Sequence, residues 1–360
     1  MRISFFGSSI VSAYWNGACT YYRGIIRALH GLGHQITFLE PDAFDRQSHR
    51  DIADPPYARV VVYPADEERA VREVVAAAAD ADLVVKASGV GVHDALLEAA
   101  VLDCRRPGST VVFWDVDAPA TLSRMEADSS DSLRALIPDY DLVLTYGGGD
   151  PVVERYEALG ARRCVPIFNG LDPQTHHPVD PDPRFAADLG ALVNRLPDRE
   201  ARVEDFFFSA AEALRDRRFL LGGAGWDDRA ARVANLSYLG HVSPAAHNAF
   251  NCSPLAVLNV TRDSMVANGF SPATRVFEAA GAGACLISDT WAGLEQFLTP
   301  GEEVIACRSG AEVAAALTAL EPEEARRIGA RARERMLDEH TYAIRGRQVQ
   351  AVLESVGAGA

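Results

Sequence analysis

The chain has no CxxC pair and no cluster of cysteine with histidine. Cys19, Cys104, Cys164, Cys252, Cys285 and Cys307 are scattered, mostly among apolar residues. That argues against a zinc site and for reduced thiols in a cytoplasmic protein. No run of about 18 uninterrupted apolar residues occurs, so no membrane span is expected. The opening Met1-Arg-Ile-Ser-Phe-Phe-Gly7 has too short an apolar run for a secretory signal. Positive charge is in deficit: 35 Lys and Arg stand against 50 Asp and Glu, a net charge of −15. This speaks against sequence-independent nucleic-acid binding, which needs a basic surface, but leaves open a local arginine site for a phosphate. The glycine-rich dinucleotide fingerprint is missing as well. After the first apolar run, Gly7 is followed by Ser9 and Ser12 where later glycines would stand, and the loop is too long for that motif's tight turn. Glu40 closes the second strand, where a dehydrogenase would place its ribose acid, but alone it makes no dinucleotide site. Among the nine histidines no metal-ligand spacing stands out. His176 and His177 read as solvent-exposed, and His93, after a strand, reads as structural.

With 360 residues, of which 48% are hydrophobic and 24% charged, the chain has the composition of a soluble protein and the length of two domains. Short, mostly β-branched runs are expected as strands at Ile3–Gly7, Gln35–Glu40, Arg59–Tyr63, Leu83–Lys86, Val111–Trp114, Leu142–Thr145 and Cys164–Ile167. A second set is expected at Asp188–Asn194, Phe219–Gly222, Leu236–Tyr238, Leu255–Val260, Cys285–Ser288 and Glu303–Ala306. Helical patterns fill the gaps, notably Thr20–Leu32 and Glu67–Ala79. Alternation of this kind implies parallel sheets covered on both faces. The Pro- and Asp-rich stretch from Asn169 to Pro183 reads as a linker. The expected fold is therefore α/β, with two Rossmann-like doubly wound domains facing across a cleft. Residues 1–170 form an N-terminal acceptor-side domain and 171–340 a C-terminal donor domain. A helix in 341–360 is expected to pack back on the first domain.

One stretch concentrates chemistry: Phe270-Ser-Pro-Ala-Thr-Arg-Val-Phe-Glu278, running on to Gly283 and the apolar Cys285–Asp289. Ser271 suits an N-cap and Pro272 the first helical position. A helix N-terminus suits a phosphate. Arg275 adds a positive fork, and Glu278, three residues on, lies on the same face to accept bonds from sugar hydroxyls. The same residues also fit an ordinary capped helix with an internal Arg–Glu pair. Arg195 and Arg262 fall near other strand ends of the same half, so three arginines point jointly to a diphosphate site. In the first half, Asp115 and Asp117 follow a buried strand, and either could act as a general base; Asp117 equally fits an N-cap before Pro119. Tyr14, Trp15, Asn16 and Gly17 are unusual in a plain connection and suit a ligand-lining loop. Gly147–Gly149 reads as a βα turn.

These residues resemble GT-B glycosyltransferases, specifically the bacterial CgeB-like, spore-maturation-protein-like family. The likeness is carried by Tyr14–Gly24, Phe113–Thr121, Leu258–Met265, Phe270–Gly283, Asp289–Glu295 and His340–Tyr342. It implies a GT-B fold and transfer of a sugar from a nucleoside-diphosphate sugar to a hydroxyl or amine acceptor, small molecule or glycan. It implies no cofactor and no bound metal, because cationic side chains and a helix dipole stabilise the leaving diphosphate. Glu278 matches the residue that holds the ribose hydroxyls; Arg275, with Ser271 through Thr274, would face the phosphates; Asn16 and Gly17 match the first-domain loop that approaches donor and acceptor. Two departures stand out. Phe270 occupies the position of a second Glu carried by many retaining members, so the donor-sugar contact made there is missing or supplied elsewhere. Asp188–Asn194 replaces a more Gly-rich strand end. A GT-B-fold nucleotide-sugar epimerase and a non-catalytic nucleotide- or sugar-binding protein are the competing functions.

Overall fold

A computed structural model describes residues 1–14 and 16–357. Trp15, expected in the ligand-lining loop, and the terminal Gly-Ala tail at 358–360 lie outside the described residues. The chain divides into two compact units, Met1–Asn169 with Tyr342–Ala360, and Gly170–Thr341.

The first unit runs β1 (Arg2–Phe6), α1 (Cys19–Gly31), β2 (Gln35–Asp42), β3 (Arg59–Pro64), α2 (Glu68–Ala78), β4 (Leu83–Ala87), α3 (Asp94–Ala100), β5 (Thr110–Asp115), α4 (Ala118–Ala127), α5 (Ser132–Leu136), β6 (Leu142–Thr145), α6 (Asp150–Ala158) and β7 (Cys164–Pro166). Its sheet is wholly parallel in the order β3-β2-β1-β4-β5-β6-β7. Alternate side chains of each strand enter different cores. Phe5, Val85, Val112 and Trp114 join one, while Phe6, Val84, Val111 and Phe113 join the other. That is why the strands read as continuous apolar runs rather than as half-polar alternations.

The second unit runs β8 (Leu189–Leu192), α7 (Glu200–Val203), α8 (Ala210–Ala213), β9 (Phe219–Gly222), α9 (Asp227–Ala230), β10 (Leu236–Gly240), α10 (His247–Cys252), β11 (Ala256–Asn259), α11 (Asp263–Asn268), α12 (Thr274–Gly281), β12 (Leu286–Asp289), β13 (Ile305–Cys307), α13 (Gly310–Ala319) and α14 (Pro322–Glu339). Its parallel sheet has the order β10-β9-β8-β11-β12-β13. The last helix, α15 (Tyr342–Gly357), belongs to the first unit. It packs on α1 so closely that a Cβ at Gly24 would sit 2.3 Å from the Tyr342 ring. No helix among the described residues is long and apolar enough to cross a membrane.

Candidate functional site

In the second sheet the chain leaves β8 towards β9 and β10 on one side, then returns to β11 and continues to β12 and β13 on the other. The gap at the carboxyl ends of β8 and β11 is therefore a topological switch point, where open α/β sheets bind ligands. A cavity lies there, lined by Val193, Arg199, Asn259, Val260, Ala273 and Arg275 among others.

Arg275 sits in the first turn of α12. Its Nη1 donates to Asn251 Oδ1 at 3.2 Å, and its Nη2 lies 3.5 Å from Glu278 Oε2. Its Nε is buried and has no partner among the described residues. Burial lowers the Arg275 pKa from its usual value, against the pull of Glu278. Arg199 enters the same cavity from the loop after β8. Its Nη2 donates to the Asn194 carbonyl at 3.2 Å, while its buried Nε has no partner among the described residues. Burial, and then the positive neighbours Arg262 and Arg275, lower its pKa, with Asp198 opposing. A guanidinium does not deprotonate near neutral pH. The lowered pKa values therefore report positive charge under-compensated by the surrounding side chains, which an anion would relieve.

The start of α12 differs from expectation. Ser271 is not its N-cap, and Pro272 is not its first residue. Helical geometry begins at Thr274 after an extended Ala273, which offers no capping side chain. The Ser271 hydroxyl instead donates to the Gly269 carbonyl at 2.9 Å. Phe270 holds a φ of +48°, uncommon for a bulky residue. Its N–H donates to the Ala292 carbonyl at 2.6 Å. The Phe-Ser-Pro-Ala segment is thus a bound turn preceding the helix.

Of the three arginines expected together, only Arg275 lines the cavity. Arg195 turns to Glu200 at 2.5 Å and Asp228 at 2.8 Å and lies over the Trp226 ring. Arg262 pairs with Asp198 at 2.7 Å. Arg199 takes the place expected for them. A second arginine four residues after Arg195 was the available signal for it.

Glu278, one turn along α12 from Arg275, is 14% exposed at its side chain. Burial pushes its carboxyl up, but Arg275, His176 and His247 together pull harder, and the net pKa is below the usual value. His176, expected at the surface, is turned inward: its side chain is 14% exposed and its Nε2 lies 3.7 Å from Glu278 Oε1. His247, from the start of α10, completes a cluster in which one ring nitrogen of each histidine and a Glu278 oxygen all lie within 4.8 Å of one another. Burial lowers both histidine pKa values despite Glu278. The three residues come from separate elements, so no spacing along the chain links them.

In the first unit, Asp115 and Asp117 have opposite surroundings. Asp115 is fully buried. Its carboxylate accepts from Ser88 Oγ, Thr121 Oγ1, the Asp117 N–H and Tyr156 Oη, at 2.7, 3.0, 3.0 and 2.5 Å. With no exposed surface, it cannot meet a substrate proton. Asp117, at the N-terminus of α4, is exposed and makes no side-chain cap bond. Asn16 ties its own loop, its Nδ2 donating to the Ser9 and Ser12 carbonyls, and Gly17 is exposed beside it. Glu40 is consumed by the same loop, accepting from Ser9 Oγ, the Ile10 N–H and Gln47 Nε2. His93 precedes α3 as its N-cap and contacts the Ala65 carbonyl at 2.9 Å.

Two parallel α/β sheets, each with a switch point, define the GT-B class of fold. The model of one protein family, described as glycosyl transferase-like, matches residues 199–351. No curated protein matches the sequence. Among solved structures, the chain is similar to sucrose-phosphate synthase from Thermosynechococcus elongatus, with 13% identity, 100% of each chain covered and a TM-score of 0.74. It is similar to Anabaena Alr3699/HepE in complex with UDP and glucose, with 14% identity, 99% of this chain and 100% of that one covered and a TM-score of 0.66. It is also similar to the E. coli trehalose-6-phosphate protein bound with UDP-2-fluoro glucose, with 12% identity, 99% of each covered and a TM-score of 0.67. At such identities the likeness is one of fold. The chain thus has the GT-B fold, and its residues 199–351 are similar to a glycosyl transferase-like family.

Proposed function

We propose that the protein is a glycosyltransferase of the CgeB-like kind. It moves a sugar from a nucleoside-diphosphate sugar to a hydroxyl or amine acceptor, without a metal on the diphosphate. The observation that carries this is the convergence of Arg199 and Arg275, each with an unpartnered buried Nε among the described residues, in one cavity at the second sheet's switch point. In this reading the donor phosphates accept from both guanidinium groups and from the first-turn N–H groups around Thr274. Glu278 accepts the ribose hydroxyls. As the bond from the anomeric carbon to the β-phosphate oxygen breaks, negative charge grows on the diphosphate. Donors fixed beforehand stabilise that charge, each contributing roughly 10²–10³ in rate. The acceptor oxygen or nitrogen forms the new bond to the anomeric carbon and gives its proton to Asp117. Asp115 holds the Ser88–Thr121 framework from which Asp117 projects. Arg195 and Arg262, each bound to carboxylates, are assigned an outer electrostatic role, and Asn16 and Gly17 shape the first-unit loop.

UDP is the first donor nucleotide to test, because similar folds were solved with UDP or a UDP-sugar. Calorimetric titration should show UDP binding that weakens in both Arg275→Ala and Arg199→Ala. Charge-assisted hydrogen bonds of about 1.5–3 kcal/mol correspond to roughly 10- to 150-fold in Kd. Unchanged UDP affinity in both variants would remove the donor site from this cavity. Turnover of UDP-sugars with and without hydroxyl and amine acceptors then tests transfer itself.

A further inference from the structure

The histidine–glutamate cluster shows an arrangement of lone pairs that the donor reading does not use. The Thr175 hydroxyl donates to the Asp172 carbonyl at 3.2 Å. With its proton on that carbonyl, the hydroxyl oxygen can accept from His176 Nδ1, 3.0 Å away. In that arrangement the ring proton of His176 sits on Nδ1 and Nε2, 3.7 Å from Glu278 Oε1, keeps its lone pair. The His247 ring is fixed more firmly. Its Nε2 lies 3.2 Å from the Val242 carbonyl, which can only accept, so Nε2 carries the proton and Nδ1 keeps a lone pair. The other Glu278 oxygen, Oε2, faces Arg275. One ring nitrogen of each histidine and a Glu278 oxygen thus lie within 4.8 Å of one another. Nitrogen and oxygen lone pairs facing one another repel unless a positive centre lies among them.

We propose that His176, His247 and Glu278 form a binding site for a zinc-class divalent cation. The donor set suits such an ion: two imidazole nitrogens and one carboxylate oxygen, with a fourth position left open. In a tetrahedral zinc site, ligand atoms at about 2.0–2.1 Å from the metal lie about 3.4 Å apart. The 3.7 Å separation of His176 Nε2 and Glu278 Oε1 is close to that edge. The outer contacts are also those of a metal site. Thr175 and Val242 accept the second ring N–H of each histidine, and Arg275 holds the non-ligating carboxylate oxygen, fixing ring tautomer and carboxylate orientation. The cation takes no part in the proposed transfer. It occupies Glu278, the residue assigned to the ribose hydroxyls, so cation and nucleoside compete for one carboxylate. The cation site itself stands independently of the donor reading.

Cobalt is the probe. Full-length protein stripped with a chelator is titrated with Co²⁺, and the visible d–d absorption is recorded. One saturable equivalent with the intense bands of low-coordinate cobalt, bleached by added Zn²⁺, is the expected result. His176→Ala and His247→Ala should abolish the bands while circular dichroism verifies that they fold. Thr175→Val, which removes the outer hydroxyl only, should weaken cobalt binding about 10- to 100-fold. Wild-type protein without a saturable band, or bands that survive in both histidine variants, would overturn the proposal. UDP titrations with and without Zn²⁺ separate the two readings. Weaker UDP binding in the presence of Zn²⁺ supports the shared carboxylate. An unchanged UDP Kd, with the cobalt bands intact, removes Glu278 from the ribose site and leaves the cation site in place.

Discussion

Asp115 and Asp117 stand two positions apart, and burial separates what they can do. The Asp115 carboxylate has four donors and no exposed surface. Asp115→Asn replaces acceptor-only oxygens by an amide facing those donors, so it should cost about 1.5–3 kcal/mol in urea unfolding. Asp117→Asn should leave the urea midpoint nearly unchanged and lower turnover roughly 10²- to 10⁴-fold, the usual contribution of a positioned base. A stable Asp115→Asn, or an Asp117→Asn of full activity, would reverse these roles. The cysteines follow the same logic of burial. All six are free thiols, and burial pushes Cys19, Cys164 and Cys285 up to about 12 and Cys307 up to about 11. The thiolate is the reactive form, so at pH 8 a thiol with a pKa near 12 is ionised roughly once in 10⁴. Ellman's reagent should therefore label no more than the half-buried Cys252 quickly in the native protein, and all six after denaturation. Rapid native labelling of several thiols would contradict the packing. The chain's single lysine, Lys86, is likewise withdrawn from chemistry: fully buried, it donates to Asp94 at 2.7 Å and to the Ala87 carbonyl.

Element by element, the packing of α15 on α1 depends on one missing side chain. A Cβ at Gly24 would lie 2.3 Å from the Tyr342 ring, whereas one at Gly31, on the same helix, would meet nothing within 4 Å. Gly24→Val should lower stability by about 1–3 kcal/mol through overpacking. Gly31→Ala should be neutral or stabilising by up to about 1 kcal/mol through helix propensity. Equal effects at the two positions would mean that helix propensity, not the Tyr342 ring, governs Gly24. The strands were legible for a related reason. Each of the expected runs coincides with an observed strand to within a few residues; the inner strands are buried on both faces and their apolar runs are therefore unbroken, whereas the edge strands β3 and β10 are partly exposed. Helix starts were harder to place. Ser271 and Pro272 have the residue types of a cap, yet the bond of the Phe270 N–H to the Ala292 carbonyl and that of the Ser271 hydroxyl to the Gly269 carbonyl hold the segment in a turn, and α12 begins at Thr274. His176, His247 and Arg199 were illegible as a group because parallel topology brings them beside Glu278 and Arg275 from distant positions. Arg195 and Arg262 misled because neighbouring carboxylates, which residue type alone does not reveal, claim them.

At the scale of the whole molecule, charge and topology together limit where a nucleoside diphosphate can bind. A net charge of −15 repels a dianionic ligand from most of the surface. Several arginines among the described residues carry a buried Nε without a partner, but Arg199 and Arg275 are the two that line the cavity at the switch point of β8 and β11. The first sheet has its own switch point, between β1 and β4. There, however, Glu40 and Asn16 spend their polar groups on the loop itself. UDP at 100 times its Kd should therefore stabilise the protein by about 2.7 kcal/mol through mass action. Amide exchange should localise that effect. Protection is expected in the segments after β8 and β11 and in the turn leading into α12, around residues 193–199, 259–262 and 270–276. The first-unit loop at residues 7–17 should exchange as it does without nucleotide. Protection centred on 7–17 instead, with the second-unit segments unchanged, would move the nucleotide to the other sheet. It would also leave the two arginines as a strained, purely structural pair, and Arg275→Ala would then stabilise the fold rather than weaken UDP binding.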